Sequence, residues 1–210
     1  MHPAVHDYDS TKFDFVSILS RIYDVDDLAK LRADVPIDVL TVETDQATDF
    51  HAKFYDAFEP SIRTLYREFI ASIVPDVLKT DEFCFQRVPT FRIHLPGNVA
   101  VGEFHTDGDY NHGDGEINFW VPFTPAWGSN SVWIEDELGS AKYEPVTLNP
   151  GQALVFDAVN WSHGNVVNET GHTRVSFDFR CIPLKNYTAS TLKSVDAGLG
   201  LWIGEYFDVL

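Results

Sequence analysis

His105 and Asp107 stand two apart in Val-Gly-Glu-Phe-His-Thr-Asp, residues 101–107. On an extended strand, residues two apart point to the same face, so this spacing can aim an imidazole and a carboxylate at one point. A second imidazole is available at His163, in Asn-Trp-Ser-His-Gly-Asn. Two imidazoles and one carboxylate bind one face of an octahedral metal ion and leave its other positions open. Eleven residues after His163 comes Arg174, then Ser176, in Thr-Arg-Val-Ser-Phe-Asp-Phe-Arg. On one strand face a guanidinium fork and a hydroxyl can meet a single carboxylate. A metal triad followed by such a clamp suits a dicarboxylate that chelates the metal at one end and is anchored at the other.

The elements that must carry these residues lie in the second half of the chain. After Thr80, short runs rich in Phe, Val, Ile, Trp and Thr are punctuated by Pro and Gly. Strands are predicted over 83–95, 101–106, 116–123, 131–135, 143–148, 153–157, 162–167 and 173–182. Leu95-Pro96-Gly97-Asn98 and Asn149-Pro150-Gly151-Gln152 each set Pro then Gly at the centre of a type II turn. About eight strands at this spacing point to a sandwich, jelly roll or barrel. The polar, glycine-rich stretch 108–115 directly follows Asp107 and reads as a mobile lip over a site.

Before Thr80 the spacing is helical. Phe15, Ile18, Leu19 and Ile22 form one apolar stripe, and Asp24 to Asp26 offer a cap for a short second helix through Leu28 and Leu31. Phe50, Phe54, Phe58, Ile62, Leu65, Phe69 and Ile73 step by three or four, interrupted at Pro60. Two consecutive helices, or one kinked there, are expected, with Pro75 ending the helical part. His51 beside this stripe is a packed or surface histidine. Residues 1–10 read as a loose lead-in in which His2 and His6 are solvated. Helices first and strands after make the chain α+β, mainly β: a helical segment over 1–80 packed on a core over 81–210, one domain overall. In the last stretch, Leu199, Leu201, Trp202, Ile203, Tyr206 and Phe207 are expected to cover the body.

Composition narrows the partners. The 210 residues suffice to bury a sizeable core, and 44% hydrophobic and 14% aromatic content argues against disorder. A formal charge of -17 repels phosphate backbones and anionic lipid, so neither nucleic acid nor membrane is an expected partner. Two cysteines, no secretory h-region and no long apolar run point to a reducing cytoplasm. Oligomeric state leaves no mark on the sequence.

His105-x-Asp107, then His163, then Arg174-x-Ser176 follow one another as in the Fe(II)/2-oxoglutarate-dependent dioxygenases. Over 83–183 the chain resembles that family, particularly its small bacterial, natural-product-type members. The resemblance implies a double-stranded β-helix (jelly roll) with N-terminal helices packed outside. It implies that His105, Asp107 and His163 hold Fe(II), and that Arg174 and Ser176 grip the far carboxylate of 2-oxoglutarate, with O2 as the other co-substrate. The expected reaction is hydroxylation or a related oxidation of a small polar metabolite, such as an amino acid or biosynthetic intermediate, releasing succinate and CO2. Asp107 is the carboxylate that the family's halogenases lack.

Other residues carry two readings each. Arg180 shares strand parity with Arg174 and Ser176; it either meets an anionic group of the substrate or pairs with Asp178 or another carboxylate. Asn118 either donates to 2-oxoglutarate or makes a cross-strand hydrogen bond. Trp120 is core or a substrate platform, and His112 is a loop side chain touching substrate or water, or a spare ligand. Arg92 and His94 are expected to support the site or the fold. Two rival functions stay open: a jelly-roll module that binds metal or carboxylate without oxidising anything, and a cupin-type metalloenzyme that needs no O2.

Overall fold

Asp14 opens helix α1 (Phe15–Tyr23) by accepting the backbone N–H of Ser17, and Asp24 closes it in the left-handed conformation. Both devices satisfy backbone groups that a helix end leaves over. The chain is described by a computed structural model over residues 1–32, 47–100, 103–195 and 198–210. Where a second helix is predicted there is a single 3-10 turn, Leu28–Lys30, capped by Asp27. Helix α2 (Asp49–Ala57), a π-helical stretch (Phe58–Ile62) and helix α3 (Arg63–Leu78) then follow in direct succession. Pro60 sits in the π stretch, so the helix accommodates the missing N–H by widening rather than stopping. Nor does Pro75 end the helical part, since α3 runs on to Leu78. One lost ladder bond in the last turn is outweighed by the burial of Val74 and Val77.

The strands are β1 (Ala4–Asp7), β2 (Phe83–Gln86), β3 (Thr90–His94), β4 (Ile117–Pro122), β5 (Trp133–Glu135), β6 (Tyr143–Pro145), β7 (Gln152–Phe156), β8 (His163–Gly164), β9 (Arg174–Pro183) and β10 (Phe207–Val209). They form a seven-stranded sheet in the order β1-β7-β4-β9-β2-β10, with β3 also on β9, and a three-stranded sheet β6-β5-β8. Among the described residues every strand-to-strand pairing is antiparallel. The predicted 83–95 strand is two strands divided around Pro89; both pair with β9, Phe83 opposite Pro183 and Phe91 opposite Phe177. Residues 4–7 are not loose: Ala4 lies opposite Val155 and Asp7 opposite Gln152 at the sheet edge. Backbone pairing at an edge asks for no apolar alternation, so nothing in the side chains announced it.

Both predicted turns form. Asn98 N–H bonds Leu95 O at 3.1 Å and Gln152 N–H bonds Asn149 O at 3.1 Å. Gly97 and Gly151 take the φ values of +78° and +96° that a type II turn requires at its third residue.

Strand β9 explains why the interior has two characters. Val175, Phe177, Phe179 and Cys181 face one side and join the core built with the N-terminal helices. Phe177 meets Phe15 edge-on at 5.3 Å, and Phe179 meets Phe69 at 6.1 Å. The alternate residues Arg174, Ser176, Asp178 and Arg180 face the other side, and all four are buried. A strand buried on both faces usually reads as a continuous apolar run. Here one face is polar. The C-terminal stretch covers the body in part: Leu201, Tyr206 and Phe207 pack with Cys84 and Ile182, while Leu199 and Ile203 remain exposed. Among the described residues no helix is long and apolar enough to cross a membrane.

Candidate metal centre

His105 and His163 face each other as an isolated antiparallel pair, exchanging two backbone hydrogen bonds of 2.9 Å. Directly paired residues send their side chains to the same side, and the two rings lie 4.6 Å apart. Nδ1 of His105 is 2.9 Å from Glu103 O, and Nδ1 of His163 is 3.0 Å from Trp161 O. A carbonyl only accepts, so both Nδ1 atoms carry the proton and both Nε2 atoms keep a lone pair for a metal. Those Nε2 atoms lie 3.8 Å (His105) and 3.7 Å (His163) from Oδ1 of Asp107. The three ligand atoms all fall within 4.8 Å of one another.

Asp107 reaches this point by a route other than the expected one. The chain leaves extended pairing after His105 and turns into a 3-10 helix, Asp107–Tyr110, with Thr106 and Asp109 capping each other. Asp107 N–H is held by Ala158 O at 2.8 Å. A turn, rather than the two-residue period of a strand, presents the carboxylate. Of the predicted 101–106 strand, Val101 and Gly102 lie outside the described residues.

The charge states suit a metal. Burial by itself would raise the pKa of Asp107, but the positive charge of Arg180, helped by His163, His112 and His105, holds it well below the usual carboxylate range. Burial drives His163 down to about 4 against the opposing pull of Asp107. At neutral pH Asp107 is therefore ionised and the His163 ring neutral, the protonation states a divalent ion needs of those two ligands.

Arg174 and Ser176 are brought together on the polar face of β9. Arg174 is 1% exposed. Its Nη1 donates to Ser176 Oγ at 2.8 Å, its Nε to Asn130 O at 3.1 Å and its Nη2 to Asn165 Oδ1 at 3.4 Å. The Ser176 hydroxyl, accepting from Arg174, keeps its own proton to donate. Trp120 lies under the guanidinium of Arg174, its ring 5.5 Å from the guanidinium carbon, so it packs both in the core and against Arg174. His94 sits opposite Arg174 across the β3–β9 pair. Burial, then Arg174, push the pKa of His94 down to about 3. The neutral ring has one proton to give, and Asn98 O at 2.9 Å is a nearer acceptor than Asn130 O at 3.2 Å. Arg92 pairs with Asp178 at 3.2 Å.

The remaining candidates divide. Arg180 reaches Asp107, the alternative of a carboxylate partner, and Asp178 is also within 3.5 Å. Asn118 is opposite Arg180 in register, with its Oδ1 buried and without a hydrogen-bond partner. The His112 ring is not one of the converging ligands: its backbone N–H reaches Asp107 O at 3.3 Å, while its Nδ1 is bonded to Glu116 at 2.7 Å and its ring packs at 5.7 Å on that of Tyr206. Sequence reasoning missed Asn165, although its place two residues after His163 was a usable signal. It placed Tyr206 only among the residues covering the body and left Gln86 open, and both hold Arg180; it missed Tyr110, whose ring meets His105 edge-on at 4.8 Å.

No family model matches the chain. The streptomycin biosynthesis protein StrG of Streptomyces griseus is 40% identical over 203 residues, 97% of this chain and 96% of StrG. Among solved structures, AviO1 from Streptomyces viridochromogenes Tue57 matches with a TM-score of 0.54 at 17% identity, over 90% of this chain and 92% of AviO1. EvdO2 from Micromonospora carbonacea var. aurantiaca, in its complex with 2-oxoglutarate, matches with a TM-score of 0.53 at 13% identity, over 86% of each chain. The chain therefore belongs to the same family as StrG, and its fold is the jelly roll shared with AviO1 and EvdO2.

Proposed function

We propose that this chain is a non-haem Fe(II)- and 2-oxoglutarate-dependent oxygenase that oxidises a small polar metabolite in the biosynthesis of a natural product. One observation supports this most directly: two Nε2 atoms and one carboxylate oxygen converge beside a buried face that carries Arg174 and Ser176. The kinship with StrG supports the biosynthetic setting.

His105, Asp107 and His163 would hold the iron, leaving positions open for other ligands. Arg174 and Ser176 would receive the far carboxylate of the keto acid with fork and hydroxyl. Bound together, iron, 2-oxoglutarate and O2 supply an oxidation of substrate coupled to decarboxylation of the keto acid to succinate. The protein's part is placement and shielding. Burial of Arg174 and Asp107 excludes water from both ends of the co-substrate's seat and strengthens the charge interactions there. A cavity of about 480 Å³ adjoins the triad through Arg180 and His112 and is bordered by Glu59, Arg63, Arg87 and Glu205. Charges of both signs border that space, while Tyr55, Val88, Pro89 and Leu199 give it an apolar wall, so it suits a substrate with both polar groups and an apolar face.

Anaerobic addition of Fe(II) and 2-oxoglutarate should give a visible metal-to-ligand charge-transfer band. Arg174→Ala should weaken 2-oxoglutarate binding by about 10- to 100-fold, the worth of a lost charged hydrogen-bond pair. An unchanged affinity removes the clamp from the proposal. Bound iron with no band, and no succinate released with any substrate, would favour the non-oxidising binding module.

A further inference from the structure

The two oxygens of Asp107 face different partners. Oδ1 faces the imidazoles. Oδ2 accepts from Nε of Arg180 at 2.8 Å and from its Nη2 at 2.7 Å. The third nitrogen, Nη1, is held in turn by Tyr206 Oη at 3.1 Å and Gln86 Oε1 at 3.4 Å, with the Asp178 carboxylate at 3.5 Å. Each nitrogen of the fork thus has a partner, and the plane of the guanidinium is fixed. The Asp107 and Arg180 side chains are only 3% and 8% exposed, so water does not compete for these contacts. An ionised carboxylate can bind a metal through one oxygen or both. Two N–H groups on Oδ2 use its two lone pairs and leave Oδ1 as the free donor.

We infer that Arg180 is a positioning residue for the metal: it occupies Oδ2 of Asp107, reserves Oδ1 for the ion and keeps the carboxylate a single-oxygen ligand. The inference rests on the triad being the metal site proposed above. It gives Arg180 a role toward the iron ligand, where sequence parity offered the substrate or an ion pair. It also accounts for Tyr206 and Gln86, which orient the guanidinium without touching the triad themselves.

The test uses Co(II), which takes the same nitrogen and oxygen donors and reports its coordination in visible d–d bands. Metal-free wild type, Arg180→Gln, Arg180→Lys and Tyr206→Phe are titrated with Co(II) under argon, and the thermal unfolding of each is recorded. Wild type should bind one equivalent, lost in His163→Ala. Failure of that control overturns the metal-site reading, and the inference with it. Once wild-type binding is established, Arg180→Gln should lose about 10- to 100-fold in Co(II) affinity, the usual effect of removing a group that orients a ligand, and its d–d bands should shift. Arg180→Lys should recover part of both, and Tyr206→Phe should show a smaller change in the same direction. A purely structural ion pair would lower the unfolding temperature and leave the bands alone. Wild-type bands with affinity within twofold in Arg180→Gln therefore overturn the inference. Should that variant fail to fold, unchanged bands and affinity in both Arg180→Lys and Tyr206→Phe overturn it equally.

Discussion

Asp107→Ala removes a ligand and also strands a buried cation. Arg180 would keep its place in the interior with its nearest carboxylate gone and Asp178, shared with Arg92, left beside it; removing one partner of a buried pair costs about 3–5 kcal/mol. At about 2–4 °C per kcal/mol for a chain of this size, the metal-free variant should unfold roughly 10 °C below wild type. His163→Ala removes a ligand without stranding a charge, so its metal-free form should lose clearly less. Calorimetry of the two metal-free variants checks this, and equal losses would mean that Asp107 does not balance Arg180. The asymmetry also shows which residues could be read in advance. That His105, Asp107 and His163 converge and that Arg174 meets Ser176 was legible from the order of the motif and from strand parity in β9, although a turn presents Asp107 where a strand was expected. Strand parity put Arg180 on the face it occupies, yet parity could not say which carboxylate it would meet, because Asp107 lies 73 positions away. Asn118 was legible only as a member of that face, where its Oδ1 has no hydrogen-bond partner.

At the scale of elements, the critical contact is between two short segments that carry one histidine each. Gly164 follows His163, and a Cβ built there would fall 3.0 Å from Phe104 Cα and 3.1 Å from Glu103 O. Both atoms are backbone next to His105, and they cannot turn aside as a side chain would. Gly164→Ala should therefore push the two histidine-bearing segments apart and weaken Co(II) binding by about tenfold or more, as displaced ligand supports do. The overall fold, measured by circular dichroism, should be retained. Wild-type affinity would show that the segments yield without moving the rings. Glycine's use here is close approach rather than an unusual φ, which no periodic pattern reveals. The amphipathic helices and the Pro-Gly turns were legible because each follows from local chemistry. The edge strand β1 and the turn that presents Asp107 depend on partners distant in sequence, and so they were not; at Pro60 the interruption was legible and its π-helical form was not.

For the whole molecule, acid exposes a tension between a strongly acidic chain and a histidine buried under its helical layer. Lowering the pH reduces the -17 formal charge and with it self-repulsion, which by itself should stabilise the fold. His51 works the other way. It is fully buried, packed edge-on to Phe91 at 5.6 Å, with its Nδ1 2.7 Å from the Thr48 hydroxyl and its Nε2 without a hydrogen-bond partner. Burial, and then the charge of Arg92, lower its pKa from 6.5 to about 4. Between those values the unfolded chain takes up a proton that the folded chain refuses, so the slope of unfolding free energy against pH is positive. The stability due to a neutral His51 is complete above pH 6.5 and is lost progressively as pH falls towards 4. At 1.36 kcal/mol per unit, the loss across that window is about 3 kcal/mol. His51→Phe keeps a ring against Phe91 and has nothing to protonate. In urea unfolding of metal-free protein, wild type should lose about 2–3 kcal/mol more than His51→Phe between neutral pH and about pH 4.5. Parallel stability profiles for the two proteins would show that His51 takes up its proton in the folded state as readily as in the unfolded one.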